Sequence, residues 1–130
     1  MNQSIELHDS ELSAISCTDN AVVLILTPAY VHRSGGHPGR DRGTGWSQTA
    51  SLSIFDAEIA STYHLPASIC EGVLRIGGDL YENMIPAEGT FEALIDFRII
   101  LSTGQSLAIN GRRLVIALHG SPLYVEDFKG

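Results

Sequence analysis

The sequence predicts a mainly β fold, an antiparallel sandwich or barrel of about seven to ten short strands with little helix. Short apolar segments alternate with turns rich in Gly, Pro and Asn along the chain. No ten-residue stretch repeats apolar residues at helical spacing, and the only lysine is Lys129, whereas helix-rich domains usually contain many. Because 130 residues are typical of one folding unit, we expect residues 1–130 to form a single β domain.

The first third of the chain predicts two strands and one ambiguous segment. Apolar and polar residues alternate over residues 4–8, which is typical of a strand with one buried face. Residues 11–17 fit either a helical turn or a strand. Asp19 and Asn20 are typical of a hairpin turn, and the apolar residues 21–27 predict a central strand. Pro28 cannot donate a ladder hydrogen bond, so we expect a bulge or a sheet edge there.

The middle of the chain predicts three more extended segments. Alternation over residues 46–60 indicates a strand, with a bend or bulge near Asp56 where the alternation changes phase. Residues 69–76 alternate in the same way. The two glycines that follow predict a tight turn into residues 80–84.

The clearest alternation in the sequence covers residues 91–100 and predicts a strand. Asn110 and Gly111 form a dipeptide that favours two-residue hairpin turns, because both turn positions need positive φ. We therefore expect a hairpin between strands at residues 105–109 and 112–119. A last short strand fits residues 123–127.

A long Gly-rich loop is predicted at residues 32–45, which contain five glycines and one proline and show no periodicity. Loops longer than about 12 residues are usually functional or disordered. This loop is therefore the centre of the predicted binding site. The candidate binding residues lie in it and at its two ends: Tyr30, His32, Arg33, His37, Arg40, Asp41, Arg42 and Trp46.

The charge distribution favours a protein partner over nucleic acid. The net charge is −7, whereas nucleic-acid binding requires clustered cations. Residues 31–46 carry a net charge of +2, which leaves −9 on the rest of the chain. We expect the three arginines of the loop to steer a protein partner, and Tyr30 and Trp46 to act as anchors. Exposed strand edges would also allow a homodimer.

The alternative function is a small barrel enzyme, or a small-molecule or anion-binding protein, that uses the same loop. His32, His37 and Asp41 have side chains that bind zinc or iron, but their spacing matches no compact metal motif, so we predict neither a metal nor another cofactor. The arginines and glycines would suit an anion. We predict no catalytic residue, because adjacent residues such as His8 and Asp9 point to opposite faces of a strand. An enzyme is the less favoured class.

The expected location is the cytoplasm. The amino terminus lacks the basic and apolar regions of a signal peptide, and the longest apolar run, residues 21–26, is too short to cross a bilayer. We therefore expect no membrane partner. Cys17 and Cys70 lie in apolar contexts, which predicts buried free thiols.

Two stretches carry a resemblance to known proteins. L-H-D-S-E-L-S-A-I at residues 7–15 and G-T-G-W-S-Q-T-A at residues 43–50 resemble patterns in small uncharacterised bacterial proteins. Some small acidic proteins of this kind are immunity-like, which means that they neutralise a toxin by covering its active surface. The resemblance implies a soluble acidic β protein and assigns no role to any residue. The histidine-pair signature of cupins is absent.

Overall fold

A computed structural model describes residues 1–59 and 63–130. These residues contain no helix, and so none that is long and apolar enough to cross a membrane. They form nine strands: β1 (Asn2–Glu6), β2 (Glu11–Thr18), β3 (Ala21–Ser34), β4 (Gly43–Phe55), β5 (Ala67–Ile76), β6 (Asp79–Glu82), β7 (Met84–Pro86), β8 (Gly89–Leu101) and β9 (Ser106–Phe128).

Antiparallel pairings join six of the strands into a ring in the order β2, β5, β8, β9, β4, β3 and back to β2. The contact that closes the ring is short: Glu11 lies opposite Ser68, and Leu12 lies opposite Ala67. Beyond the ring, the second half of β3 pairs with β1, which pairs with β7. The predicted antiparallel β fold is confirmed, and the ring of pairings is that of a barrel.

The core is built by side chains that point into the ring from alternate positions. On β8, Ile95, Phe97, Ile99 and Leu101 are buried, whereas the exposed residues between them include Arg98. The strong alternation in the sequence therefore correctly predicts that one face of β8 is buried. Each fully buried Leu, Ile or Phe side chain contributes about 2 kcal/mol of hydrophobic stabilisation.

Several local predictions are confirmed near the amino terminus. The ambiguous segment forms strand β2, which pairs with β3. Asp19 and Asn20 have φ values of 46° and 65° and form the turn between these strands. The register of β3 against β4 shifts between Leu26 and Ala29, so the bulge expected at Pro28 is present. Strand β4 ends at Phe55, and Ala60, to which the prediction extended, lies outside the described residues.

The prediction of a loop over residues 32–45 is wrong. Strand β3 runs to Ser34 and β4 begins at Gly43, so only residues 35–42 connect them. Glycine is needed at positions 43 and 45 for close packing within the sheet: a Cβ on Gly43 would overlap the carbonyl of Arg33, and one on Gly45 would overlap the Tyr30 ring. Glycine in a strand often marks such close approach rather than flexibility.

The hairpin predicted at Asn110 and Gly111 is also wrong. Strand β9 passes through both positions without turning, and they lie opposite Asp96 and Ile95 of β8. This 23-residue strand pairs with β8 along its first half and with β4 along its second. The expectation of short strands thus fails for β3, β4, β8 and β9.

Both cysteines are free and exposed, so the predicted burial of their thiols is wrong. Cys17 lies at the end of β2, next to the turn into β3. Cys70 lies between buried Ile69 and exposed Glu71 on β5 and points outward. The apolar neighbour of Cys70, Ile69, points to the opposite face of β5, whereas Cys17 shares a face with Ile15 and is exposed because it lies at the end of β2.

Candidate functional site

The eight candidate residues lie at one end of the molecule but do not form one site. Successive side chains of a strand point to opposite faces. Tyr30 and His32 therefore lie on one face of the sheet formed by β1, β3, β4 and β9, where their ring centroids are 4.8 Å apart. Arg33 lies on the opposite face, in contact with Trp46. The other four residues belong to the connection 35–42.

Arg33, Trp46 and Tyr124 form a continuous stack, which we call the aromatic platform. The Arg33 guanidinium lies 4.6 Å from the centroid of the Trp46 ring, a cation–π contact. Trp46 lies opposite Tyr124 on the neighbouring strand, and their rings meet edge to face at 5.5 Å. Tyr124 is 55% exposed, so the platform continues to the surface.

A hydrogen bond from each member of the aromatic platform fixes its orientation. Arg33 Nε donates to Gln3 Oε1 over 3.0 Å, and Trp46 Nε1 donates to Thr44 Oγ1 over 2.8 Å. Tyr124 donates its hydroxyl proton to Asp127 over 2.6 Å, and this bond raises the pKa of Tyr124. The side chains are therefore held in place before any partner arrives.

Tyr124 was not among the predicted site residues. The sequence shows it only as one apolar residue within the short run at 123–125. Its position 78 residues from Trp46 in the sequence but beside it in the fold depends on the register between β4 and β9, which shifts twice along their length. No local pattern in the sequence carries that information.

Residues 35–42 form a turn that is held by its own hydrogen bonds, rather than an open loop. The backbone amide of His37 donates to Asp41 Oδ2 over 2.6 Å, and the amides of Arg40 and Asp41 donate to the His37 carbonyl. Pro38 is buried, and Gly39 lies against the side chain of Met84 on β7. The connection thus folds over the face of the sheet that carries His32. Asp41 closes this turn, which is a different role from the metal ligand considered from the sequence.

Two arginines of the connection remain accessible. Arg40 lies 3.9 Å from Asp41, an exposed ion pair of the kind that contributes little to stability. Arg42 is exposed as well. The prediction that arginines of this segment face the solvent therefore holds for Arg40 and Arg42, whereas Arg33 is half-buried against Trp46.

His32 is buried in a polar network on the opposite face. It is 3% exposed, and its Nε2 lies 2.7 Å from Glu6 Oε1. The ring of Phe128 covers it edge-on at 5.1 Å. Its partner on the same face, Tyr30, donates a hydrogen bond to Glu126 over 2.6 Å. Both side chains therefore contact carboxylates, and His32 is inaccessible to a large partner, whereas Tyr30 is half-buried.

The network moves the pKa values of its acids in opposite directions. The hydrogen bond with His32 lowers the pKa of Glu6. The hydrogen bond with Glu6, followed by burial, raises the pKa of Asp9. Burial, followed by the hydrogen bond to Glu126, raises the pKa of Tyr30. The network therefore favours the charged form of Glu6 and the neutral form of Asp9.

Asp9→Asn is expected to stabilise the protein at neutral pH and not at acidic pH. The raised pKa means that Asp9 stabilises the fold at pH values below 3.8, the pKa of its side chain in the unfolded chain. This stabilisation is lost as the pH rises through the higher pKa that Asp9 has in the folded protein. Asparagine keeps a neutral donor beside Glu6 at every pH. Since Asp9 is largely exposed, the gain at neutral pH is small, about 0.5 kcal/mol. Urea unfolding of both proteins across acidic to neutral pH measures it, and an equal gain at all pH values would contradict the raised pKa of Asp9.

The described residues contain no group of three or more His, Cys, Asp or Glu side chains placed to hold a metal ion. His32, His37 and Asp41 do not converge, since His32 is bound to Glu6 and the Asp41 carboxylate to a backbone amide. Comparison with protein-family models, curated proteins and solved structures finds no match to this chain.

A second surface is large enough to receive a partner. A groove of about 560 Å³ lies on the outside of β5, β6, β8 and β9 and contains none of the predicted site residues. Its apolar part includes Val73, Ile100 and Ala108, and two carboxylates, Glu71 and Glu82, line it as well. Because it lacks the aromatic residues that dominate binding surfaces, we rank it below the aromatic platform.

Proposed function

We propose that this protein binds another protein through the aromatic platform. The observation that carries the proposal is the stack of Arg33, Trp46 and Tyr124, because Trp, Tyr and Arg supply most of the binding energy at protein interfaces. Leu123, which is 67% exposed, and Val125, which is 47% exposed, flank Tyr124 along β9, and strand alternation directs Leu123 to the opposite face of the sheet. The proposed role is complementary docking rather than catalysis.

The rigidity of the aromatic platform supports this role. Ordering a flexible side chain at an interface costs about 0.5 to 1.5 kcal/mol. Here the guanidinium, indole and phenol groups are each already fixed by a hydrogen bond within the protein. The loss of side-chain entropy on binding is therefore small, and most of the contact energy is retained as affinity.

The charge at this end of the molecule favours an acidic partner. Half of the eight cationic side chains of the chain belong to it: Arg33, Arg40, Arg42 and Lys129. A hollow of about 620 Å³ beside the aromatic platform is lined by Arg42, Thr44, Asp127 and Lys129 among others. A carboxylate of the partner would pair with Arg42 and Lys129 in this hollow. Charges at the rim of an interface chiefly accelerate association and select partners.

An immunity-like role is one form of this proposal and is the form that the resemblance favours. The partner would then be a toxin, and the aromatic platform would cover part of its active surface. This form adds one expectation: the activity of the captured partner falls when the complex forms.

The proposal is tested by placing a photo-reactive benzophenone amino acid at one position at a time and irradiating cells of the native host. At Tyr124, we expect a discrete cross-linked product whose mass differs from that of two copies of the 14.0 kDa chain. Leu94 is the matched control, because it is 67% exposed and lies on β8, away from the aromatic platform. Val73 probes the groove.

Each outcome of this experiment decides the proposal. A heterologous product at Tyr124 that is absent at Leu94 and is lost in the Arg40→Ser/Arg42→Ser variant supports it. A heterologous product at Val73 alone would transfer the binding role to the groove. Identical products at all three positions, or no heterologous product at Tyr124, would overturn it.

A further inference from the structure

The second half of β9 presents an unpaired strand edge. Strand β8 is paired with β9 only as far as Ile116, which lies opposite Gly89. Residues 117–128 continue along β4, and no other described strand pairs with their outer side. Residues 119–127 are also exposed except for Pro122, so no other part of the described chain covers this edge. An uncovered edge of this length is a template for another strand.

We propose that two copies of this chain form a dimer by pairing these edges antiparallel to each other. A strand edge that pairs with its own copy about a two-fold axis must do so antiparallel, and the interface then closes with no further edge to extend. The most exposed apolar residues of the edge lie at its centre: Leu123, Tyr124 and Val125. Pairing would place the edge of the second copy beside these three residues and leave the two faces of the sheet open.

The centre of the edge can pair with its own copy. Antiparallel pairing centred on Leu123 brings the two Leu123 side chains together at the axis, among the uncharged residues 121–125. Strand β9 bulges against β4 between His119 and Leu123 and again between Tyr124 and Glu126, so the regular ladder does not extend from His119 to Asp127. Pro122 cannot donate, so the ladder takes its hydrogen bonds from the residues on either side. A second copy thus fits the edge without placing like charges opposite each other.

The dimer would have a consequence for binding. A two-fold axis perpendicular to the sheet keeps equivalent faces on the same side. The aromatic platforms of the two copies would then lie next to each other on one continuous sheet, and a partner with two matching surfaces would bind with increased avidity. The inference itself does not depend on the proposed function, because it concerns the edge of β9 and not the face of the sheet.

Analytical ultracentrifugation of the purified protein tests the dimer. We expect a mass of twice 14.0 kDa at high micromolar concentration. Leu123→Lys should give a monomer, since it places two like charges together at the axis. Leu94→Lys is the control, because Leu94 and Leu123 are both 67% exposed, and this variant should remain dimeric. Circular dichroism confirms that both variants are folded.

A cross-linking measurement locates the axis. In a Cys17→Ser/Cys70→Ser background, Leu123→Cys should form a disulfide-linked dimer on mild oxidation, whereas Leu94→Cys should not. A wild-type monomer at every concentration would overturn the proposal, and so would a Leu123→Lys dimer or loss of the dimer in Leu94→Lys. A chain that cross-links only to itself at Tyr124 would support the dimer while contradicting the heterologous partner.

Discussion

Replacing Gly111 with alanine is expected to lower the free energy of unfolding by about 3 kcal/mol. Gly111 lies in the part of β9 that is held between β8 and β4 and is buried. A Cβ there would overlap the side chain of Ile54 and lie 2.5 Å from the carbonyl oxygen of Phe55. Since that carbonyl belongs to the neighbouring strand, relief requires β4 and β9 to separate. Urea denaturation monitored by circular dichroism measures the loss.

Gly78→Ala provides the control for this experiment. No atom lies within 4 Å of the position that its Cβ would occupy, so we expect a change within about 0.5 kcal/mol. The comparison also discriminates between the continuous strand and the hairpin expected from the sequence. In a hairpin turn, alanine in place of Gly111 would cost about 1 kcal/mol. A loss of that size or less would contradict the packing described for β9.

Replacing Trp46 with alanine is expected to weaken binding of the partner captured at position 124 about 30-fold or more, as for a central interface residue. The indole lies between Arg33 and Tyr124, so its removal takes away both the cation–π and the aromatic contact. Arg33 would also lose the surface that orients it. Biolayer interferometry with the purified partner measures the change in Kd.

A matched control exists on the same strand. Phe55 also carries a guanidinium over its ring, that of Arg113 at 5.0 Å, but it lies at the far end of β4. Phe55→Ala removes a comparable contact and should leave the affinity for the partner unchanged. Equal losses in the two variants would indicate a general effect on the fold and would count against the aromatic platform as the interface.

The parts of the fold that the sequence predicts well are those whose pattern is local. The alternation in β8 follows directly from one buried face, and Asp19 and Asn20 adopt the positive φ angles that their side chains tolerate. Pro28 coincides with a bulge because its nitrogen cannot join the ladder. In each case the physical cause lies within a few residues.

The failures come from residues whose role is set by distant neighbours. Gly43, Gly45 and Gly111 were interpreted as turn or loop residues, whereas each is required where another strand or side chain comes too close for a Cβ. The dipeptide of Asn110 and Gly111 favours a turn locally, but pairing with β8 and packing against β4 together outweigh that preference. A sequence shows that glycine is present and does not show which of these reasons applies.

The candidate site shows the same contrast between features set by local sequence and features set by distant residues. Strand alternation alone predicts that Tyr30 and His32 share one face, and that Arg33 takes the other. The contacts that give these residues their roles are with Glu6, Glu126 and Tyr124, far away in the sequence. The sequence therefore places the candidate residues at one end of the molecule and leaves their arrangement undetermined.

The shared use of β9 by two neighbouring strands has a consequence for biosynthesis. On the ribosome, β4 can pair with β3 and β8 with β5 before residues 106–128 have been added, but neither has its second neighbour, β9, until then. The ring therefore stays open while most of the chain is already exposed to the cell, with the apolar faces of both strands uncovered. We expect the nascent chain to depend on holding chaperones until this last long segment emerges.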